Sequence, residues 1–248
     1  MAAVGIPQKS RLMFGAHEAW LCLGAIAFYL VDSMALLHAD ELLLEQCGDR
    51  WLPRRGSSWL VRGRRPFLPD PFAPQRPLLQ LTLQRLLGAA GAGADMGAVL
   101  AALRPLRVLA LAMLALFMAL PALLYLAGTG TLLLAWLGGV YAVAVAMATT
   151  LWRRRAALAL SRADVARLAF ECIACAPLAI NIVRRVTRRL PCPPLSMMRG
   201  MLDTASSEAL SATIVAMLDD RLVDVDPDGA DAGQLHRYRK RVLTGESP

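Results

Sequence analysis

Cys172-Ile-Ala-Cys175 has the spacing at which two thiolates hold a metal ion or exchange with a disulfide. A structural zinc site takes four ligands, and no second cysteine pair or neighbouring histidine completes this one. A dithiol exchanger of the thioredoxin type belongs in a βαβ context, which the flanking sequence lacks. Cys172 and Cys175 also fall on an apolar stripe, so the leading reading is two small buried hydrophobes. Asp224, Asp226 and Asp228 followed by Gly229 match the opening of a calcium-binding loop. Leu235 stands where a bidentate Glu would close that loop, and Asp231 occupies a position that is usually apolar. The segment therefore reads as an acidic, solvated turn. Walker loops, GxGxxG turns, HExxH helices and Ser-His-Asp sets are absent. The expectation is a non-enzymatic protein with no cofactor and no metal.

Asp32 is the sharpest single residue. It lies inside an otherwise uncharged run at 19–37, and a carboxylate within a membrane span usually faces protein or water and carries a role. Its place near the end of the run favours a hydrated end or an ion pair, with Arg104 or Arg107 as the expected partner. A transport or proton-relay role is the alternative. The two other apolar runs offer only Tyr125, Tyr141 and a few Thr as polar company.

The elements that must position these residues are dominated by hydrophobic runs. The chain has 248 residues, 56% hydrophobic and 19% charged, with a net charge of +8. That balance excludes a disordered regulator, and the clustering of apolar residues excludes an ordinary soluble enzyme. Residues 108–127 and 131–152 carry no charge, and only Gly128-Thr129-Gly130 separates them. A bilayer core needs about 20 helical residues to cross, so the pair reads as a tight transmembrane hairpin, 108–152. Residues 19–37 read as a further span. Lys9, Arg11 and Ser33-Met34-Ala35 admit a signal peptide, but the long run and Asp32 favour retention.

Arginine placement sets the expected orientation. Arg104 and Arg107 stand before the hairpin, and Arg153, Arg154 and Arg155 follow it. Both ends then lie in the cytoplasm, 1–18 is a short external N-terminus, 38–107 is a cytoplasmic Pro/Arg-rich connector and 153–248 is a cytoplasmic helical region. The stretch 168–183 is short and interrupted by Glu171, Pro177 and Asn181. Spanning would carry an arginine cluster across the bilayer. It is expected instead to be one amphipathic helix, interfacial or packed on the bundle, with Leu168, Cys172, Cys175, Ala179, Ile182 and Val186 on one stripe. Arg184 and Arg185 then join Arg153–Arg155 as contacts to anionic headgroups or a partner protein.

Six prolines between Pro53 and Pro77 exclude helix there. Residues 59–61 and 66–68 read as a short β-hairpin across Arg62-Gly63-Arg64-Arg65, residues 78–87 and 96–103 as helices, and about 206–222 as an amphipathic helix. Small residues recur at Gly138, Ala142, Ala146 and Thr150, spacing that suits packing within the hairpin or against a partner or second copy. Of the 27 basic residues only Lys9 and Lys240 are lysine. An Ala/Leu/Arg-heavy composition is no pointer to nucleic acid, and no nucleic-acid partner is expected.

Tyr29-Leu-Val-Asp32-Ser33, Leu68-Pro-Asp-Pro71-Phe-Ala-Pro74 and Glu171-Cys172-x-x-Cys175-x-Pro177, followed by Asn181-x-x-Arg184, resemble a group of small bacterial inner-membrane proteins without assigned activity. The resemblance implies a compartment and no chemistry. The expected fold is an all-α, multi-pass inner-membrane protein with three transmembrane helices. Its expected role is that of an anchor or assembly partner at the cytoplasmic face. A thiol or metal module at the cysteine pair and a small transporter subunit using Asp32 remain as alternatives.

Overall fold

The computed structural model describes residues 16–48, 50–83, 96–127, 130–190, 195, 198, 200, 202–223, 225 and 230–244. Helix α1 (Ala16–Ser33) leads into strands β1 (Ala35–Leu37), β2 (Glu41–Cys47), β3 (Arg50–Arg54), β4 (Arg65–Phe67) and β5 (Leu78–Thr82). The long helices α2 (Met96–Ala127) and α3 (Thr131–Arg154) follow, and then α4 (Arg162–Ala174), α5 (Ala176–Ile180) and α6 (Ile182–Arg189). Helices α7 (Thr204–Val223) and α8 (Ala230–Thr244) complete the described chain.

Two findings overturn the all-α, three-span expectation. The connector, together with Ala35–Leu37 from the end of the 19–37 run, folds into antiparallel strands in two sheets, β3-β2-β5 and β1-β4. Among the described residues, only α2 and α3 are long and apolar enough to cross a membrane. The run at 19–37 is not one helix. α1 stops at Ser33, and Ala35 and Leu37 pair with Phe67 and Arg65 in a strand. Hydrophobicity alone does not separate a short helical end from a strand. The decision is made by distant partners of Asp32 and Ser33, described below.

Strand β2 explains why the sheet escaped sequence reading. Leu42 and Leu44 face the main core with Trp51, Leu79 and Leu81. Leu43 faces the other way, into a second cluster with Ala35, Leu37 and Leu78. A strand covered on both faces shows a continuous apolar run instead of alternation. The expected helix at 78–87 is strand β5 where it begins, paired with β2 through Leu42↔Leu81 and Leu44↔Leu79. Pro53 is accommodated because β3 is an edge strand. The expected hairpin of 59–61 with 66–68 across Arg62–Arg65 does not form; the chain turns instead at Arg62-Gly63, both with positive φ (53° and 75°), as a two-residue hairpin turn requires. Its ladder is the single bridge Val61↔Arg64, and β4 pairs with β1 instead of 59–61.

The segment at 96–103 and the apolar run at 108–127 merge into one helix, α2, that runs through Pro105. Met96, Val99, Leu103, Leu106, Ala110 and Met113 recur at helical spacing and are fully buried. Antiparallel α3 presents Val140, Ala144, Met147 and Leu151 to the core. Trp136 Nε1 donates to the Leu116 carbonyl at 2.8 Å, locking the pair in register. Only 22% and 17% of the most apolar windows of α2 and α3 are buried against protein. The core helices of a soluble protein would be mostly covered. Here Val108, Leu134, Tyr141, Val145 and Trp152 are left facing outward.

The expected single amphipathic helix at 168–183 is three helices. Ser161 Oγ accepts from the Asp164 N–H at 3.1 Å and caps α4. Cys175 takes an extended conformation, Pro177 sits in the first turn of α5, and Asn181 breaks the chain again before α6. Of the expected stripe, Leu168, Cys172, Ala179, Ile182 and Val186 are buried, and Cys175, at the first break, is half-buried.

Two glycines test this packing. A Cβ at Gly56 would lie 2.6 Å from Arg65 Cβ and 2.8 Å from the Arg65 carbonyl oxygen, whereas one at Gly138 would meet open space. Gly56→Ala is expected to destabilise by about 1–3 kcal/mol through overpacking. Gly138→Ala should be neutral or stabilising by up to about 1 kcal/mol through helix propensity. Thermal unfolding of both variants in the same detergent checks the contrast.

Candidate functional site

The densest constellation of polar side chains lies where α1 ends, where the 70–73 loop passes, and where α5 turns into α6. At its centre is Arg184, which is 1% exposed. One amino group of its guanidinium donates to the carbonyls of Asp70 at 2.6 Å and Ala73 at 3.0 Å. The other donates to Asn181 Oδ1 at 3.3 Å. Its Nε is buried without an acceptor among the described residues. Burial pulls the guanidinium down to about 10, so it remains a cation at neutral pH.

Asn181 is the hinge of the arrangement. Its Nδ2 donates to Asp32 Oδ2 and to Ser33 Oγ, both at 2.9 Å. These bonds tie the break between α5 and α6 to the last turn of α1. Ser33 Oγ also donates to the Tyr29 carbonyl at 2.8 Å, and the Tyr29 hydroxyl donates to the carbonyl of Pro71. Asp32 and Glu171 share one cation, since Arg185 donates to both carboxylates at 2.5 Å. Arg188 reaches the Ser33 carbonyl at 3.3 Å, and burial lowers its pKa.

The network continues outward on both sides. Glu45 on β2 is buried, with Arg54 at 3.4 Å and Arg76 at 3.7 Å. Arg76 also reaches Asp70 at 3.6 Å. At the other end Glu171 accepts from exposed Arg167 at 3.0 Å. The result is a polar seam through the molecule, linking β2, the 70–73 loop, α1, α6 and α4. Chemically it is a clamp: arginine forks pinned on carbonyls and carboxylates. Holding segments together is what this geometry does.

Several expected site residues stand elsewhere than their expected roles require. Arg184 was expected at the membrane surface and is instead the most buried charge of the seam. Arg185 is largely covered and committed to Asp32 and Glu171. Arg153 and Arg154 are exposed at the end of α3, and Arg155 stacks its guanidinium 4.8 Å from the Trp152 ring centroid. Asp32 is ion-paired as expected, but with Arg185; Arg107 donates to Gln46 Oε1 at 2.6 Å instead. Cys172 is buried on α4, and desolvation pushes its thiol up to about 12, away from the thiolate that metal binding or exchange needs. Cys175 is half-buried. Among the described residues no group of three His, Cys, Asp or Glu is placed to hold a metal ion. Asp224, Asp226 and Asp228 lie outside the described residues.

Sequence reading took Asn181 as an interruption of the 168–183 stretch and gave Tyr29 no task of its own. The available signal was the three short stretches around Asp32, Pro71 and Asn181, far apart in the chain and adjacent in the fold. No known protein family, curated protein or solved structure matches this chain.

The clamp makes two expected outcomes. Arg184→Ala strands two carbonyls and an amide oxygen in the interior and should cost about 3–5 kcal/mol, as breaking a buried charged contact does. Arg184→Lys should recover only part of this, because an ammonium lacks the planar fork. Denaturant titration in micelles measures both. Cys172 should resist maleimide in the folded protein at neutral pH and react once the chain is unfolded. Native-state labelling as fast as that of a free cysteine would contradict its burial.

Proposed function

We propose that the chain is a non-enzymatic integral membrane protein that anchors and orients a folded base at the cytoplasmic face of the bacterial inner membrane. The observation that carries this reading is the continuity of α2. Its first half supplies the core of the base and its second half runs into the apolar hairpin, with no loop between. A partner held by the base would therefore be held rigidly relative to the bilayer. The outward-facing Val108, Leu134, Tyr141 and Val145 suit lipid. Trp152 and Arg153–Arg155 beneath them suit the headgroup layer, where arginines contribute about 1 kcal/mol each towards anionic lipid.

The same geometry favours structural roles over the two alternatives. Asp32 is held between Asn181 and Arg185, so it is a fixed strut in place of a carrier of protons or ions. Cys172 is buried on α4 and burial pushes its thiol up, which favours a packing role over that of a ligand.

Topology reporters test the reading. A fusion after Trp152 is expected to be active in the cytoplasm and one inserted at Gly130 in the periplasm, with the chain retained in membranes after alkaline carbonate washing. Release by carbonate, or periplasmic activity after Trp152, would overturn it.

A further inference from the structure

We infer that α4, α5 and α6 form a re-entrant hairpin whose apex dips among the acyl chains and returns to the arginine-bearing side. This rests on the reading of α2 and α3 as a membrane hairpin. It adds a second membrane-inserted element that neither crosses the bilayer nor lies flat on it.

The first argument is direction. Arg189 reaches Asp164 at 3.5 Å and Arg185 reaches Glu171, so α6 runs antiparallel to α4 with the turn at its far end. A span through 168–183 would separate Arg162 and Arg167 from Arg188 and Arg189 by a membrane. Here the Arg189–Asp164 contact keeps the start of α4 and the end of α6 together at the open end of the hairpin, and α4 follows the end of α3 after a short link. The second argument is composition. The apex from Cys172 to Val183 contains no charged residue. The chain climbs about 10 Å from Arg167 to Ala174 at about 1.5 Å per residue.

The third argument is what covers each surface. Irregular backbone is tolerated at membrane depth only where protein shields it and its polar groups are satisfied. The break at Cys175 meets this: its N–H donates to the Glu171 carbonyl, and its own carbonyl accepts from Leu178. Asn181 is 1% exposed and spends its side chain on Asp32, Ser33 and Arg184. α5 is packed against α1, α2 and α3. On the outer side of α4, by contrast, Phe170 is 72% exposed and Ile173 is 44% exposed. α4 lies along α3, so these two extend the apolar outer surface of Tyr141 and Val145. Arg162 and Arg167 sit below them on the same helix, placed for anionic headgroups. Acyl chains above and phosphates below are the occupants this surface fits.

The test uses the full chain in phosphatidylcholine–phosphatidylglycerol vesicles. Nitroxide labels are placed singly at Arg167→Cys, Phe170→Cys, Ile173→Cys and Val145→Cys in a background without other cysteines. Collision with oxygen, which concentrates in lipid, is compared with collision with a water-soluble nickel chelate. The expected result is an oxygen-to-nickel ratio at Phe170 and Ile173 that matches Val145 and clearly exceeds Arg167. Water-like ratios at Phe170 and Ile173 with a lipid-like ratio at Val145 overturn the re-entrant hairpin and leave the α2–α3 reading intact. A water-like ratio at Val145 overturns that reading as well. If the cysteine-free chain does not reconstitute, Phe170→Trp in the otherwise native sequence is read by brominated lipid. Added quenching relative to the parent supports the dip, and no added quenching overturns it.

Discussion

Arg184 carries a full positive charge into the interior, and the arrangement around it follows from satisfying that charge. Removing a guanidinium from water costs several kcal/mol. Charge-assisted hydrogen bonds of about 1.5–3 kcal/mol each offset this only when the acceptors are already in place. The acceptors are the carbonyls of Asp70 and Ala73 and the amide oxygen of Asn181. The loop at 70–73 and the break between α5 and α6 are therefore set by one side chain. Asn181 passes the constraint on to the end of α1 through Asp32 and Ser33.

From this point the seam joins elements that are far apart in the chain. Arg185 couples α1 to α4 through Asp32 and Glu171, and Arg76 couples the loop to β2 through Glu45. Arg107 fixes the lower part of α2 to the same strand through Gln46. α7 packs against β3, with Leu210, Ile214, Met217 and Leu218 closing the core. The outer surfaces of α2 and α3 are apolar. The seam also holds the base in register along α2, because slippage would break the Arg107–Gln46 bond and pull Asp32 and Glu171 from Arg185.

How much of this could be read from residues alone varies by element. The helix at 206–222 was legible because its apolar stripe repeats at helical spacing, and it forms as Thr204–Val223. A reversal of the chain within Arg62–Arg65 was legible, but the strand partner was not, since β4 pairs with a segment about thirty residues earlier. Leu78–Thr82 was misread as helix and Leu42–Leu44 drew no reading, because burial on both faces removes the alternation that marks a strand. Of the seam, Asp32 was singled out as a buried charge needing a partner. Arg184 was assigned to the surface because its neighbours Arg185, Arg188 and Arg189 made the segment look like a solvated basic face.

The uncharged runs at 108–127 and 131–152 determined by themselves that two long apolar helices would stand side by side. Helix formation and the reach of an uninterrupted apolar run are local properties, set by hydrogen bonds within the segment and by a three-residue link. Tertiary structure alone decided that α1 would end at Ser33 and that Ala35–Leu37 would become a strand. It also decided that Arg184 would be core while Arg153 and Arg154 stayed outside. The reason is that the cost of burying a charge depends on the acceptors around it. For Arg184 two of the three are backbone carbonyls more than a hundred residues away, and a carbonyl's availability is set by the loop's conformation and not by its side chains.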